Sequence, residues 1–287
     1  MQTLSAPDKF YPSPSDNPYW NESVWFSITI PELRLHGFIQ YYFRPNMGLL
    51  NGGPVLWDPS GHQVWNCRYY NWSQLQACPP GAEKFNMQAN NSLSVEVVET
   101  MQHYRIGYDF ENLKLDLHWY AIAPMHQLRS KDPGQQATQK FHMEQAGHMQ
   151  GTMVLDGKEY AIDCYSMRDT SYGPRDYSSS SCGGYFWGIS AHSAFHAIVK
   201  GEGPQQHVIG GFIWQDGELA SLDSGYRDVE RYSDLGPERV RIAMRDQLGR
   251  EMTAMGNLDP GFIFTGYSDH TVPVSYTHLT LPTIYSV

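Results

Sequence analysis

Arg168-Asp169 and Arg175-Asp176 are the residues of this chain best suited to chemistry: a doubled Arg-Asp pair, with the stiff turn Tyr172-Gly173-Pro174 between the copies. The stretch that holds them, Tyr160 to Asp176 (YAIDCYSMRDTSYGPRD), carries two arginines, three acids and three tyrosines. Two readings compete. A carboxyl partly buried among tyrosines has a raised pKa and can keep its proton at neutral pH, although an adjacent arginine pulls the other way. Such an acid can serve as a general acid toward a bound substrate. On this reading Asp169 or Asp176 is the catalytic acid, Tyr172 its hydrogen-bonding partner, and Arg168 and Arg175 hold and orient the substrate. On the other reading the two arginines and two aspartates form a structural salt-bridge knot that pins a loop to a barrel rim. Buried charges are costly unless all pair, and equal numbers of Arg and Asp allow that pairing.

Other candidates are more scattered. His142, Glu144 and His148 fall on one face of an expected strand, the arrangement of a metal or acid–base cluster or of a polar face in water. Three ligands from one strand seldom complete a metal site. His148 therefore stands as a substrate-binding candidate, and no metal is expected. His118, beside Trp119 and Tyr120, lines a first barrel or alternates outward. Glu22, in Trp20-Asn-Glu-Ser23, is a lone acid amid aromatics, or a cap. The Ser-rich run from Tyr177 to Gly184 is a lid over the Arg-Asp segment or a spacer. No Gly-x-Ser-x-Gly elbow, Walker loop or Rossmann glycine pattern occurs.

These residues must be carried by β structure. The chain has 287 residues, 14% of them aromatic and only 17% charged, with 26 Gly and 18 Pro to supply turns. Its net charge of −10 excludes general binding to nucleic acid or to an anionic membrane surface. No apolar run is long enough for a membrane-spanning helix, and no basic, apolar leader opens the chain, so a cytoplasmic protein with free thiols at Cys67, Cys78, Cys164 and Cys182 is expected. Strands are predicted over 23–30, 33–43, 93–98, 103–110 and 113–122. Three hairpins follow at Asp156-Gly157, Asp216-Gly217 and Leu248-Gly249, the first of them the strongest because Asp-Gly suits a type I′ turn. Closely spaced short strands with turn punctuation and almost no helix signal predict an all-β sandwich or barrel. The expected divisions are a surface arm (1–19), a first β domain (20–123), a linker (124–139), a second β domain (140–273) and a tail (274–287). The tail, VSYTHLTLPTIYSV, resembles translated sequencing-adapter read-through and is taken as non-native, which would leave the second domain truncated.

The run EQAGHMQGTMVLDGKEYAIDCYSMRDTSYGPRD (144–176) resembles the core of the lipocalin-like carotenoid 1,2-hydratase (hydroxyneurosporene synthase) superfamily, and within it a bacterial branch with paired domains of unknown function. The matching residues are Gln145, Gly147, Gly151, Asp156, Gly157, Arg168, Asp169, Ser171, Gly173 and Arg175. Thr170 stands where the pattern has His, and Tyr172 where it has Trp. The resemblance implies two tandem lipocalin-like antiparallel β domains, no metal and no organic cofactor. It implies an enzyme that hydrates, dehydrates, isomerises or cyclises a hydrophobic isoprenoid- or polyketide-like substrate. A non-catalytic carrier of lipophilic small molecules is the alternative. Thr170 cannot supply a proton at neutral pH, which leaves Asp169, Tyr172 and Arg175 as the residues to test.

Overall fold

The computed structural model describes residues 6–11, 16–128, 141–174, 183–201, 203–233, 236–264 and 274–286. Among these residues the fold is all-β: a large sheet and a curled half-barrel sheet, with only short 3₁₀ turns and no α-helix. This agrees with lipocalin-like β architecture. Two compact units emerge. Unit 1 comprises residues 1–32, 37–56 and 69–176; unit 2 comprises 33–36, 57–68 and 177–287.

Unit 1 is built on twelve strands. The first five are β1 (Trp20–Ile30), β2 (Leu35–Arg44), β3 (Leu49–Trp57), β4 (Tyr69–Tyr70) and β5 (Ser73–Ala77). Next come β6 (Met87–Gln88), β7 (Ser94–Glu99), β8 (His103–Phe110), β9 (Leu113–Ala121) and β10 (His126–Leu128). The last two, β11 (Phe141–Leu155) and β12 (Lys158–Pro174), are the long ones. The sheet runs β4-β3-β2-β1-β12-β11-β9-β8-β7-β6, with β10 added to β11 and β5 to β3. Burial explains the sequence texture. β9 (LKLDLHWYA) alternates buried and exposed along its length, whereas β1 and β2 are buried on both faces and so show no clean apolar/polar period. The β11–β12 hairpin turns at Asp156-Gly157, whose φ values of 53° and 76° are the two positive angles a type I′ turn requires.

The boundary expected at 124–139 does not divide these units. β12 hydrogen-bonds to β1 in register from Trp20↔Pro174 to Phe26↔Arg168, and β11 pairs with β9. Residues 141–174 therefore complete the first unit rather than open the second. The N-terminal arm also departs from a surface strap. Asp8 is fully buried, and the Tyr11 amide donates to the Glu22 carboxylate at 2.9 Å.

Unit 2 is a meander of seven strands: β13 (Gly183–Ile189), β14 (Ser193–Lys200), β15 (Gln205–Gln215), β16 (Glu218–Ser233), β17 (Gly236–Asp246), β18 (Glu251–Phe264) and β19 (Val274–Ser286). Its core joins Phe195, Ile213, Leu222, Ile242, Met244 and Met252. Trp57 stacks on Phe262 at 5.1 Å within this unit. The β17–β18 turn is held by buried Asp246, which accepts from the Leu248 and Arg250 amides and from the Arg250 guanidinium at 2.7 Å. The segment expected as a foreign tail supplies β19, which pairs with β18.

Candidate functional site

Successive residues of a strand point to opposite faces, so β12 sends Arg168, Thr170 and Tyr172 one way and Asp169 the other. Two polar clusters result, both within unit 1.

On the inner face, Arg168 is 1% exposed and lies over three rings: Tyr104 at 4.6 Å, Phe85 at 4.9 Å and Trp119 at 5.3 Å. Each such contact is worth about 0.5–2 kcal/mol. Its Nη2 donates to the Gln145 side-chain oxygen at 2.7 Å, and the Gln145 amide nitrogen in turn donates to the carbonyls of Ala123 and Met101 at 3.0 and 3.1 Å. The Arg168 Nε and Nη1 groups have no hydrogen-bond partner among the described residues. The Gln-x-Gly spacing now has a cause. Gln145 fixes the guanidinium, and Gly147 makes room for the cage wall, because a Cβ there would lie 2.2 Å from the Trp119 ring.

Next to this cage, Glu22 and Lys84 form a buried ion pair at 2.5 Å, with side chains 0% and 2% exposed. Burial pushes the Glu22 carboxyl up and the Lys84 ammonium down, against their mutual attraction, so both shifts favour the uncharged forms. Glu22 also accepts from the Trp20 indole at 3.3 Å. Tyr172 is sandwiched between Tyr11 at 4.0 Å and Phe141 at 4.7 Å, with both ring pairs within 6° of parallel. Burial raises its phenol to about 12. Tyr104 donates to Asp8 at 2.6 Å, and Tyr41 donates to the Lys84 carbonyl at 2.7 Å. Thr170 also faces inward, its hydroxyl donating to the Ser23 carbonyl at 3.1 Å. The position where the hydratase pattern has His is thus on the same face as Glu22.

On the opposite face, His142 Nε2 lies 3.1 Å from a Glu144 oxygen and 3.5 Å from an Asp169 oxygen. Glu144 is buried, and desolvation raises its carboxyl to about 7 against the pull of His142. Across the β10–β11 ladder His126 stands opposite Glu144, and burial lowers its imidazole to about 4.

The sequence candidates are thus separated. Arg168, Glu22 and Tyr172 share the inner face, while Asp169 joins His142 and Glu144. Half of the expected salt-bridge knot is visible, and it is not a pair: Arg168 contacts Gln145 and rings, Asp169 contacts His142. Arg175, Asp176 and most of the Ser-rich run lie outside the described residues. His148 meets Asp163 at 3.0 Å, away from His142. His118 is on the outward face of β9, 2.8 Å from His103. Cys67, Cys78 and Cys164 are thiols, not halves of a disulfide. An open groove of about 820 Å³ runs along the outward faces of β7, β8 and β9, and neither cluster contributes a residue to it. Sequence reasoning missed Lys84 and Asp8. Lys84 sits in a loop with no periodic signal, and Asp8 in a Pro- and Ser-rich arm whose composition gives no sign of burial.

No helix among the described residues is long and apolar enough to cross a membrane. No curated protein sequence matches the chain. Among solved structures, the chain is similar to a Nitrosomonas europaea protein that carries the provisional name AttH. The likeness has a TM-score of 0.53 and 13% identity and covers 99% of this chain and 97% of that one, so it shows the fold alone. A family profile described as a domain of unknown function, DUF7064, matches residues 8–279, and the chain belongs to that family.

Proposed function

We propose that the chain is an acid–base enzyme that hydrates, dehydrates, isomerises or cyclises a hydrophobic isoprenoid- or polyketide-like substrate at the inner face of unit 1. The observation that carries this reading is Glu22: a buried carboxyl, raised by desolvation, set among Tyr11, Trp20 and Tyr172. In hydration the Glu22 proton goes to an alkene carbon, the aromatic rings shield the cation, water adds, and the proton released from the oxonium returns to Glu22. Glu22 takes the acid's part that the sequence offered to Asp169 or Asp176, and Tyr172 keeps the part of its neighbour. Arg168 orients a polar end of the substrate from within its ring cage. A carrier of lipophilic anions is the second reading, favoured by the two unpartnered N–H groups of Arg168.

Native mass spectrometry after exposure to a bacterial lipid extract separates the two. A substrate changed by the mass of one water, or an isomer detected by chromatography, lost in Glu22→Gln, supports the enzyme. A bound, unmodified lipid in both proteins supports the carrier. Neither binding nor conversion overturns both readings.

A further inference from the structure

We propose that His142, Glu144 and Asp169 form a binding site for a single divalent transition-metal ion of the zinc type. The site lies on the opposite face of β12 from Glu22 and stands independently of the function proposed above.

The fold brings the three together by two simple rules. His142 and Glu144 are two apart on β11 and so share a face. Asp169 is the register partner of Glu144 on β12, which places it beside them across the ladder. One donor atom from each residue, an imidazole nitrogen and two carboxylate oxygens, lies within 4.8 Å of the others. The individual separations carry more information. In a tetrahedral centre with bonds of about 2.0–2.2 Å, neighbouring donor atoms are about 3.3–3.6 Å apart. The His142–Glu144 and His142–Asp169 distances are 3.1 and 3.5 Å. A cation can enter with small movements of the side-chain ends and without a change of register.

The donor chemistry selects the ion. One nitrogen with two oxygens suits zinc or manganese, whereas calcium and magnesium sites are built from oxygen alone. The charge also fits. Two carboxylates face one imidazole, and one of them, Glu144, is 3% exposed, so a dication compensates charge that a single imidazolium covers only in part. His142 and Asp169 keep 19% and 25% of their side-chain surface, which gives the ion an approach and leaves room for a water as fourth ligand. His148, the third member of the sequence cluster, is engaged with Asp163 and is not a ligand.

The test uses the full chain, stripped with chelator and titrated with zinc chloride by calorimetry, with cobalt as a spectroscopic stand-in. The expected result is one ion per chain, affinity reduced more than about 100-fold by His142→Ala or Asp169→Asn, and no change in His148→Ala. Cobalt should give an intense visible absorption band that weakens and shifts in Asp169→Asn. Circular dichroism checks that the variants are folded, and Asp169→Asn, isosteric and partly exposed, serves if His142→Ala is not. The proposal is overturned if the wild type takes up no zinc at about 100 μM. It is equally overturned if folded Asp169→Asn binds zinc as the wild type does, or if His148→Ala removes the binding.

Discussion

Replacing Lys84 with Met removes one half of the buried Glu22–Lys84 pair while nearly keeping its volume. The stranded carboxylate then lies in a site where it is 0% exposed. Breaking a buried pair from one side typically costs about 3–5 kcal/mol, because the remaining charge has no solvent and no counter-ion. With a urea slope of about 2 kcal/mol/M, the midpoint should fall by about 1.5–2.5 M at pH 7. The pH dependence identifies the cause. The folded pKa of Glu22 already lies above its unfolded value of 4.5, and loss of Lys84 raises it further. The folded state then binds the proton more tightly than the unfolded state, so the penalty is smallest below pH 4.5, where both states hold it, and grows as pH rises toward neutrality. Adding Glu22→Gln should recover most of the loss, since the amide oxygen can still accept from Tyr11 and Trp20. Urea titrations followed by tryptophan fluorescence at pH 4.5 and 7 decide the matter. A Lys84→Met penalty that is the same at both pH values, or that is not relieved in the double variant, would refute the charge argument.

Three further outcomes follow from the same geometry. Gly147→Ala should destabilise by about 1–3 kcal/mol through overpacking against Trp119. Gly157→Ala, with open space but φ of 76°, should cost only about 1 kcal/mol; chemical denaturation gives the ranking, and the reverse order would be wrong for this packing. Arg168→Lys should lose about 2–3 kcal/mol despite keeping its charge, because an ammonium cannot lie flat in the three-ring cage and reach Gln145 together; a thermal melt reads this, and a neutral result would mean the cage has no preference for a planar cation. Asp8→Ala should expose the tethered arm, read as faster limited proteolysis near the N-terminus, since its carboxylate accepts from Tyr104 at 2.6 Å.

What the sequence made legible was local. Asp156-Gly157, Asp216-Gly217 and Leu248-Gly249 each mark a hairpin that forms, because a turn's φ preferences are set by the residues in it. The alternation of β9 likewise reported its buried face directly. The pairing of β1 with β12 left no such trace. β1, and the half of β12 that pairs with it, are largely buried on both faces, so the paired stretches show no period, and the partner is most of a domain away. That one missed pairing accounts for the displaced domain boundary. Arg168 and Asp169 are adjacent in sequence and look like a pair, but strand geometry sends them to opposite faces, each to partners on other strands. Glu22 and Tyr172 are far apart in sequence, and only the register Glu22↔Tyr172 joins them.

The same pairing bears on how the chain is made. Trp20 and Pro174 are about 150 residues apart, and a ribosome adding about 5–20 residues per second takes roughly 8–30 s to cover that distance. During that interval β1 has no β12, and its apolar residues Trp20, Val24, Phe26 and Ile28 must wait without the strand that seals them. The nascent chain thus carries an open sheet edge for tens of seconds, a period in which holding chaperones or slow translation past residue 174 would govern the yield of folded protein more than final stability does.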